Sequence, residues 1–182
     1  MKVSPSHQRW LAFALIFGTL FIASRCDLSG VEHGQHHALT IYGYNYTNRY
    51  IDQFYVDGQG GGNLDVSTPT SSGGGRTCCV GWTDGTSLPQ TVTVKWVVSA
   101  CMKRATNSNG ESREVPVHTF KEAVVELTQV VPSNPHYFEV HFYPDGHLEV
   151  TVTAMASEPR LKLDASRQAP EDVQYPKCKG NS

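Results

Sequence analysis

Residues 136–154 read HYFEVHFYPDGHLEVTVTA, and this stretch decides the fold class of the chain. On both sides of Pro144-Asp145-Gly146, apolar and polar side chains alternate, which is the period of a β-strand with one buried face. Asp-Gly between two such runs favours a tight turn, because glycine accepts the backbone angles that hairpin turns need. The stretch therefore predicts a hairpin made of strands 136–143 and 147–154.

Five more runs upstream of this hairpin have strand character: residues 38–46, 50–56, 77–82, 91–101 and 115–130. The last run is ambiguous, since residues 120–129 have a helical composition, but Pro116, Pro132 and the β-branched residues favour an edge strand. Thr47-Asn48-Arg49 predicts a turn that leads into 50–56 as the return strand. About seven short strands with turn signals between them predict an all-β, immunoglobulin-like antiparallel β-sandwich.

A glycine-rich stretch separates the second and third predicted strands. Residues 57–75 hold seven of the 16 glycines of the chain, which predicts a long surface loop. A loop longer than usual hairpin connections is typical of a functional segment. Phosphate binding is not indicated, because no Gly-Lys-Ser/Thr follows the glycines and no helix receives them.

The first 26 residues have the pattern of an export signal. A basic start precedes the apolar run Trp10–Ala23, which is shorter than the roughly 20 residues of a membrane-spanning helix. The end of this segment, IASRC, resembles a bacterial lipobox and predicts lipidation of Cys26. Arg25 departs from the small residue expected before that cysteine, so cleavage after residue 23 or 24, or no cleavage, are the alternatives.

The sequence thus divides into an export signal (1–26), a histidine-rich tether (27–37), the β-sandwich (38–157) and a polar tail (158–182). Removing 1–26 removes three basic residues and no acid, which leaves 12 Lys and Arg against 17 Asp and Glu and a net charge of -5. This charge favours a basic partner surface and argues against nucleic acid. We expect a periplasmic protein, anchored by its lipid to the outer or inner membrane.

Four cysteines remain if Cys26 carries a lipid, and an even number in an oxidising compartment predicts disulfides. Cys78 and Cys79 are adjacent, so in a strand they point to opposite faces, and a bond between them closes a strained eight-membered ring. Each is therefore expected to pair with Cys101 or Cys178, which allows two connectivities. Either one ties the tail to the sheet.

No motif indicates catalysis or a cofactor. The chain has no Gly-x-Ser-x-Gly elbow and no distinctive pair of carboxylates, so we predict a protein that is not an enzyme. His33, His36 and His37 are weak candidates for zinc or copper ligands, which keeps a catalytic metal site as an alternative. Their position in the predicted tether favours solvated side chains instead.

Tyrosines around the first predicted strand indicate a binding surface. Tyrosine is favoured at interfaces because its ring is large, rigid and amphipathic. Packing in the core is the alternative for Tyr42 and Tyr44. With the glycine-rich loop, the predicted partner-contact residues are Tyr44, Tyr46, Arg49, Tyr50, Gly60, Gly61, Gly62 and Asn63.

Four motifs carry a family resemblance: GYNYTNRYID at 43–52, VDGQGGGN at 56–63, CCV at 78–80 and VHFYPDG at 140–146. Together they resemble a family of uncharacterised proteobacterial envelope lipoproteins, some of which are similar to immunity proteins encoded beside type VI secretion phospholipases. The resemblance implies a periplasmic protein that binds and blocks the effector phospholipase, without catalytic residues of its own. A structural or adaptor lipoprotein of the envelope is the alternative.

Overall fold

The computed structural model describes residues 34–167 and 174–179, and in these residues it contains strands and no helix. Consequently, no helix within the described ranges is long and apolar enough to cross a membrane. The predicted export signal and Cys26 lie outside the described residues. The strands are β1 His36–Asn45, β2 Ile51–Val56, β3 Gln59–Leu64, β4 Gly73–Thr83, β5 Gln90–Thr106, β6 Ser112–Leu127, β7 Tyr137–Phe142 and β8 Leu148–Thr153.

The strands form one continuous sheet in the order β6-β5-β2-β3-β4-β1-β7-β8. All neighbours are antiparallel except β1 and β7, which run parallel. The sheet curls, and we call β4, β1, β7 and β8 half A and the other four strands half B. The all-β prediction is confirmed. The predicted seven-stranded, two-sheet sandwich is replaced by eight strands in one curled sheet, because β3 pairs with β4 and joins the halves.

The core lies on the concave side of the sheet, where alternate residues of both halves meet. The Phe142 ring of half A lies 5.5 Å from the Phe54 ring and 5.8 Å from the Trp96 ring of half B, measured between centroids. Period-two alternation explains which residues point inward, since successive side chains of a strand face opposite sides. The most buried aliphatic core residues include Leu39, Ile41, Ile51, Val56, Leu64, Val94, Leu127 and Val140.

The hairpin at 136–154 and the strand character of 115–130 are confirmed. β7 and β8 pair antiparallel around the turn that contains Gly146, whose φ is 88°. β6 pairs along its length with β5, and it forms one edge of the sheet, as the prolines indicated.

The predicted hairpin of residues 38–46 and 50–56 is wrong, because β1 and β2 are not neighbours. The buried side chain of Asn45 holds the intervening corner: its Nδ2 donates to the Arg49 carbonyl at 2.7 Å, and its Oδ1 accepts from the Thr47 hydroxyl at 2.6 Å. The corner carries the chain from half A to half B. β1 instead pairs with β4 and β7.

The predicted glycine-rich loop is about half strand, since β3 and the start of β4 lie within it. Glycine is required at two of its positions. Gly61 is buried under the Phe54 ring, and a β-carbon there would overlap the ring. Gly73 has a φ of 85° and lies against the Asp65 carbonyl. Glycine therefore serves close packing in this segment rather than a long loop.

We expect Gly61→Ala to lower the free energy of unfolding by about 1–3 kcal/mol, because the added methyl group overpacks the core against Phe54. The measurement is urea-induced unfolding. Gly60→Ala is the matched control, since nothing lies within 4 Å of a β-carbon at Gly60. Equal stability of the two variants would contradict the prediction.

The disulfides differ from the predicted pairing. Cys78 is bonded to Cys79, joined by a cis peptide bond, and Cys101 is bonded to Cys178. The prediction that Cys78 and Cys79 each pair with Cys101 or Cys178 is wrong, because the two adjacent cysteines are bonded to each other. The tail is tied to the sheet as expected. The Cys178 amide donates to the Met102 carbonyl at 3.0 Å, and the Met102 amide donates to the Pro176 carbonyl at 2.8 Å.

Candidate functional site

The convex side of half A contains a buried polar cluster that includes two predicted partner-contact residues. Tyr44 is 0% exposed and Tyr46 is 1% exposed, so neither can contact a partner, and that prediction is corrected. Both lie under residues 154–163, which we call the strap. Leu161 and Leu163 of the strap pack against the tyrosine rings. Tyr44 and Tyr46 therefore pack inside the protein.

Glu139 is the centre of this cluster and is fully buried. Its carboxylate accepts hydrogen bonds from the Ser157 amide at 2.7 Å and the Ser157 hydroxyl at 2.8 Å. The hydroxyls of Thr153 and Thr151 donate to it at 3.1 and 3.3 Å. Burial acts to raise the pKa of Glu139, but the neighbouring His141 ring and the hydrogen bonds from Ser157 outweigh it and leave the pKa below its usual value. The ionised carboxylate fastens the strap to β7 and β8.

His141 connects this carboxylate to the tyrosines. Its Nε2 lies 3.5 Å from Glu139 Oε2, and its Nδ1 lies 2.9 Å from the Tyr46 hydroxyl. Burial lowers the pKa of His141, although Glu139 opposes the shift, so the ring is neutral. Burial also raises the pKa of Tyr46 to about 12. Tyr46 in turn accepts a bond from the Arg160 amide at 2.9 Å, which holds the strap at a second point.

The lowered pKa of His141 predicts a stability that falls in mild acid. Below the ordinary histidine pKa of about 6.5, the unfolded chain binds a proton at this residue that the folded chain does not. The free energy of unfolding should therefore decrease from pH 7 to pH 5. The decrease should be smaller in His141→Gln, measured by urea unfolding at each pH. The same pH dependence in both proteins would contradict the assignment.

The other predicted contact residues lie near the surface of half B. The exposed Arg49 donates from Nη1 to the Val98 carbonyl at 3.0 Å. The Tyr50 hydroxyl accepts from Asn63 Nδ2 at 2.6 Å, so the structure brings these two together. Gly60 is exposed, whereas Gly61 is buried and Gly62 is half-buried, with a φ of 83°. Gly61 therefore cannot contact a partner, and its predicted role is also corrected.

The convex side of half B, which we call the open face, carries aromatic and aliphatic side chains. Phe120 is 37% exposed, and its ring lies 6.2 Å from Tyr55 and 4.8 Å from the Lys95 ammonium. Beside it, His118 Nε2 lies 2.7 Å from Asp52 Oδ2. Val124 on the same strand is 69% exposed. The strap covers the convex side of half A, whereas on half B Tyr175 of the tail lies beside Asp52 and Phe120 and Val124 stay exposed.

Sequence reasoning missed the residues of the open face. The signal was present in β6, where Ala123, Val125 and Leu127 alternate with exposed Phe120, Glu122 and Val124 on the other side. Apolar residues on both sides of a strand indicate that one side packs in the core and that the other side also makes contacts. The helical composition of the segment obscured this pattern.

The histidine candidates do not form a metal site in the described part of the chain. His36 and His37 belong to β1 rather than to a tether. His36 Nδ1 lies 2.8 Å from the Thr83 hydroxyl. His37 Nε2 lies 2.9 Å from Asp84 Oδ1. His33 lies outside the described residues. Within residues 34–167 and 174–179, no three His, Cys, Asp or Glu side chains are placed to share a metal ion.

Comparison with known proteins supplies a family but no function. No curated protein matches the chain, and no solved structure does. One family model matches residues 44–150, a span that holds the β1–β2 corner, the open face and the strand residues Tyr44, Glu139 and His141 of the buried cluster, but not the strap. That span is more than half of the chain. The chain therefore belongs to the family described as "Protein of unknown function (DUF3304)".

Proposed function

We propose that this chain is a periplasmic immunity protein that binds and blocks a type VI secretion phospholipase effector through the open face. The observation that carries the proposal is the contrast between the two convex sides. The chain's own strap covers half A, whereas half B leaves Tyr55, Phe120 and Val124 accessible. Aromatic anchors on a rigid sheet are typical of protein interfaces, because they bury a large area at little cost in conformational entropy.

Charge supports a basic partner surface. Residues 27–182 carry 17 acidic and 12 basic side chains, which would speed the encounter with a positively charged enzyme surface. The two disulfides favour an oxidising compartment, as the predicted export signal does. In this mechanism the chain performs no chemistry: it covers the entrance to the phospholipase active site and thereby excludes phospholipid.

The experiment first asks whether a phospholipase gene lies beside the gene of this chain, since its absence would favour the structural role, and then titrates that enzyme. The full chain, kept in solution by a non-ionic detergent, is added to the enzyme while the release of fatty acid is measured. We expect activity to fall to the background level as the chain reaches equimolar amounts. Unchanged activity, with no complex at micromolar concentrations, would refute the proposal and favour a structural role in the envelope.

We expect Phe120→Asp to weaken inhibition about 30-fold, because it places a charge at the centre of the apolar contact and removes an anchor worth about 2 kcal/mol. The measurement is the inhibition constant. Met155→Asp is the matched control, since Met155 is 79% exposed but lies on the strap of half A. Equal inhibition by the folded Phe120→Asp variant and the wild type would exclude the open face.

A further inference from the structure

A cavity of about 220 Å³ lies at one end of the curled sheet, between the β1–β2 corner and the β7–β8 turn. Both halves contribute to it: Arg49, Ile51, Trp96 and Lys121 come from the corner and half B, and Phe142 and Leu148 from half A. It is smaller than the roughly 300–1,000 Å³ of pockets that hold drug-sized ligands. Its occupant is therefore a small molecule or the end of a larger one.

The charge of this cavity is opposite to that of the chain. Arg49 and Lys121 are the two charged side chains in its lining, and no carboxylate lines it. Neither cation forms an ion pair with any carboxylate in the part of the chain that the structure describes. Two uncompensated cations at one concave site favour an anion, and a guanidinium binds phosphate or carboxylate oxygens in fixed geometry.

The remaining lining is apolar and aromatic. The rings of Trp96 and Phe142 meet edge to face, and the Lys121 ammonium lies 5.5 Å from the Trp96 centroid. Ile51 and Leu148 complete the wall. A ligand that suits both parts has an anionic group at one end and a ring or short alkyl group at the other.

We propose that this cavity binds a small organic anion, with a phosphate or carboxylate group between Arg49 and Lys121 and an apolar group against Trp96. The site is separate from the open face. Lys121 and Trp96 point to the concave side of the sheet, whereas Phe120 and Lys95, the residues next to them along the strands, point to the convex side. The inference is independent of the proposed function.

The test is a titration of the full, ¹⁵N-labelled chain in a non-ionic detergent with phenyl phosphate, with benzoate and with benzyl alcohol as the uncharged probe. The indole N–H signal of Trp96 reports on the cavity. That of Trp82, which lines a different cavity together with Val80 and Phe138, is the internal reference. We expect one or both anions at millimolar concentrations to shift the Trp96 signal saturably and leave the Trp82 signal in place. The tighter anion identifies the head group.

Variants then connect binding to the two cations. Lys121→Gln and Arg49→Gln should each weaken the anion's affinity about tenfold, the worth of a charge-assisted hydrogen bond. Lys103→Gln removes an exposed cation of β5 outside the lining and should leave the affinity unchanged. An unmoved Trp96 signal with both anions, an equal response to benzyl alcohol, or unchanged affinity in both cavity variants would each overturn the proposal.

Discussion

Replacing Glu139 with alanine is expected to lower the free energy of unfolding by about 4 kcal/mol. The carboxylate is fully buried, and it accepts bonds from the amide and hydroxyl of Ser157 and from the hydroxyls of Thr151 and Thr153. Each donor that stays buried without a partner costs about 1–3 kcal/mol. The loss is thus similar to that of breaking a buried ion pair, about 3–5 kcal/mol.

The measurement for Glu139→Ala is urea-induced unfolding at neutral pH, combined with limited proteolysis of the strap. Cleavage within 154–163 should become faster, because Ser157 loses its anchor. Glu126→Ala is the matched control, since it removes an exposed carboxylate from β6. The free energy of unfolding of Glu139→Gln should lie between those of the wild type and Glu139→Ala, since an amide oxygen keeps part of the acceptor capacity. The account is wrong about the cluster if Glu139→Ala and Glu126→Ala are equally stable.

Removing the Cys101–Cys178 disulfide is expected to cost about 4 kcal/mol of stability. The bond joins residues 77 positions apart, so its loss restores a large amount of chain entropy to the unfolded state. The Cys101→Ala/Cys178→Ala protein should unfold at a lower urea concentration. Residues 174–179 should also lose their hydrogen bonds to Met102, seen as faster exchange of the Met102 and Cys178 amides.

A comparison with Cys78→Ala/Cys79→Ala makes this second prediction specific. That bond joins adjacent residues, so the loop it closes is minimal and its removal restores little chain entropy. Cys101→Ala/Cys178→Ala should therefore be clearly less stable than Cys78→Ala/Cys79→Ala. The opposite order of stability would show that the tail does not stabilise the sheet.

Local pattern identified the β7–β8 hairpin and β6, but not the β2–β3 hairpin, although Asp57-Gly58 separates those two strands. Alternation and an Asp-Gly turn predicted the β7–β8 hairpin, and prolines with β-branched residues identified β6 as a strand. The β7–β8 pairing stays within a few residues of its turn, whereas the β5–β6 pairing extends to Gln90 and Leu127. The all-β class follows from the same local signals.

Pairing between distant segments could not be predicted in this way. β1 runs parallel to β7, so Tyr42 pairs with Glu139 almost a hundred residues away, and no turn signal marks such a contact. The burial of Tyr44 depends on the strap, whose polar, non-periodic sequence indicated a tail. An alternating strand shows that one side is buried, but not whether another segment covers the second side.

The central claim is that the open face of half B contacts a phospholipase, and site-specific photocrosslinking tests it most directly. A photoreactive phenylalanine analogue replaces Val124 on the open face in one protein and Met155 on the strap in another, and each is irradiated with the enzyme. Both positions are well exposed, at 69% and 79%, so access alone does not distinguish them. We predict a crosslink to the phospholipase from position 124 and none from position 155. A crosslink from position 155 alone, or from neither position, would contradict the account.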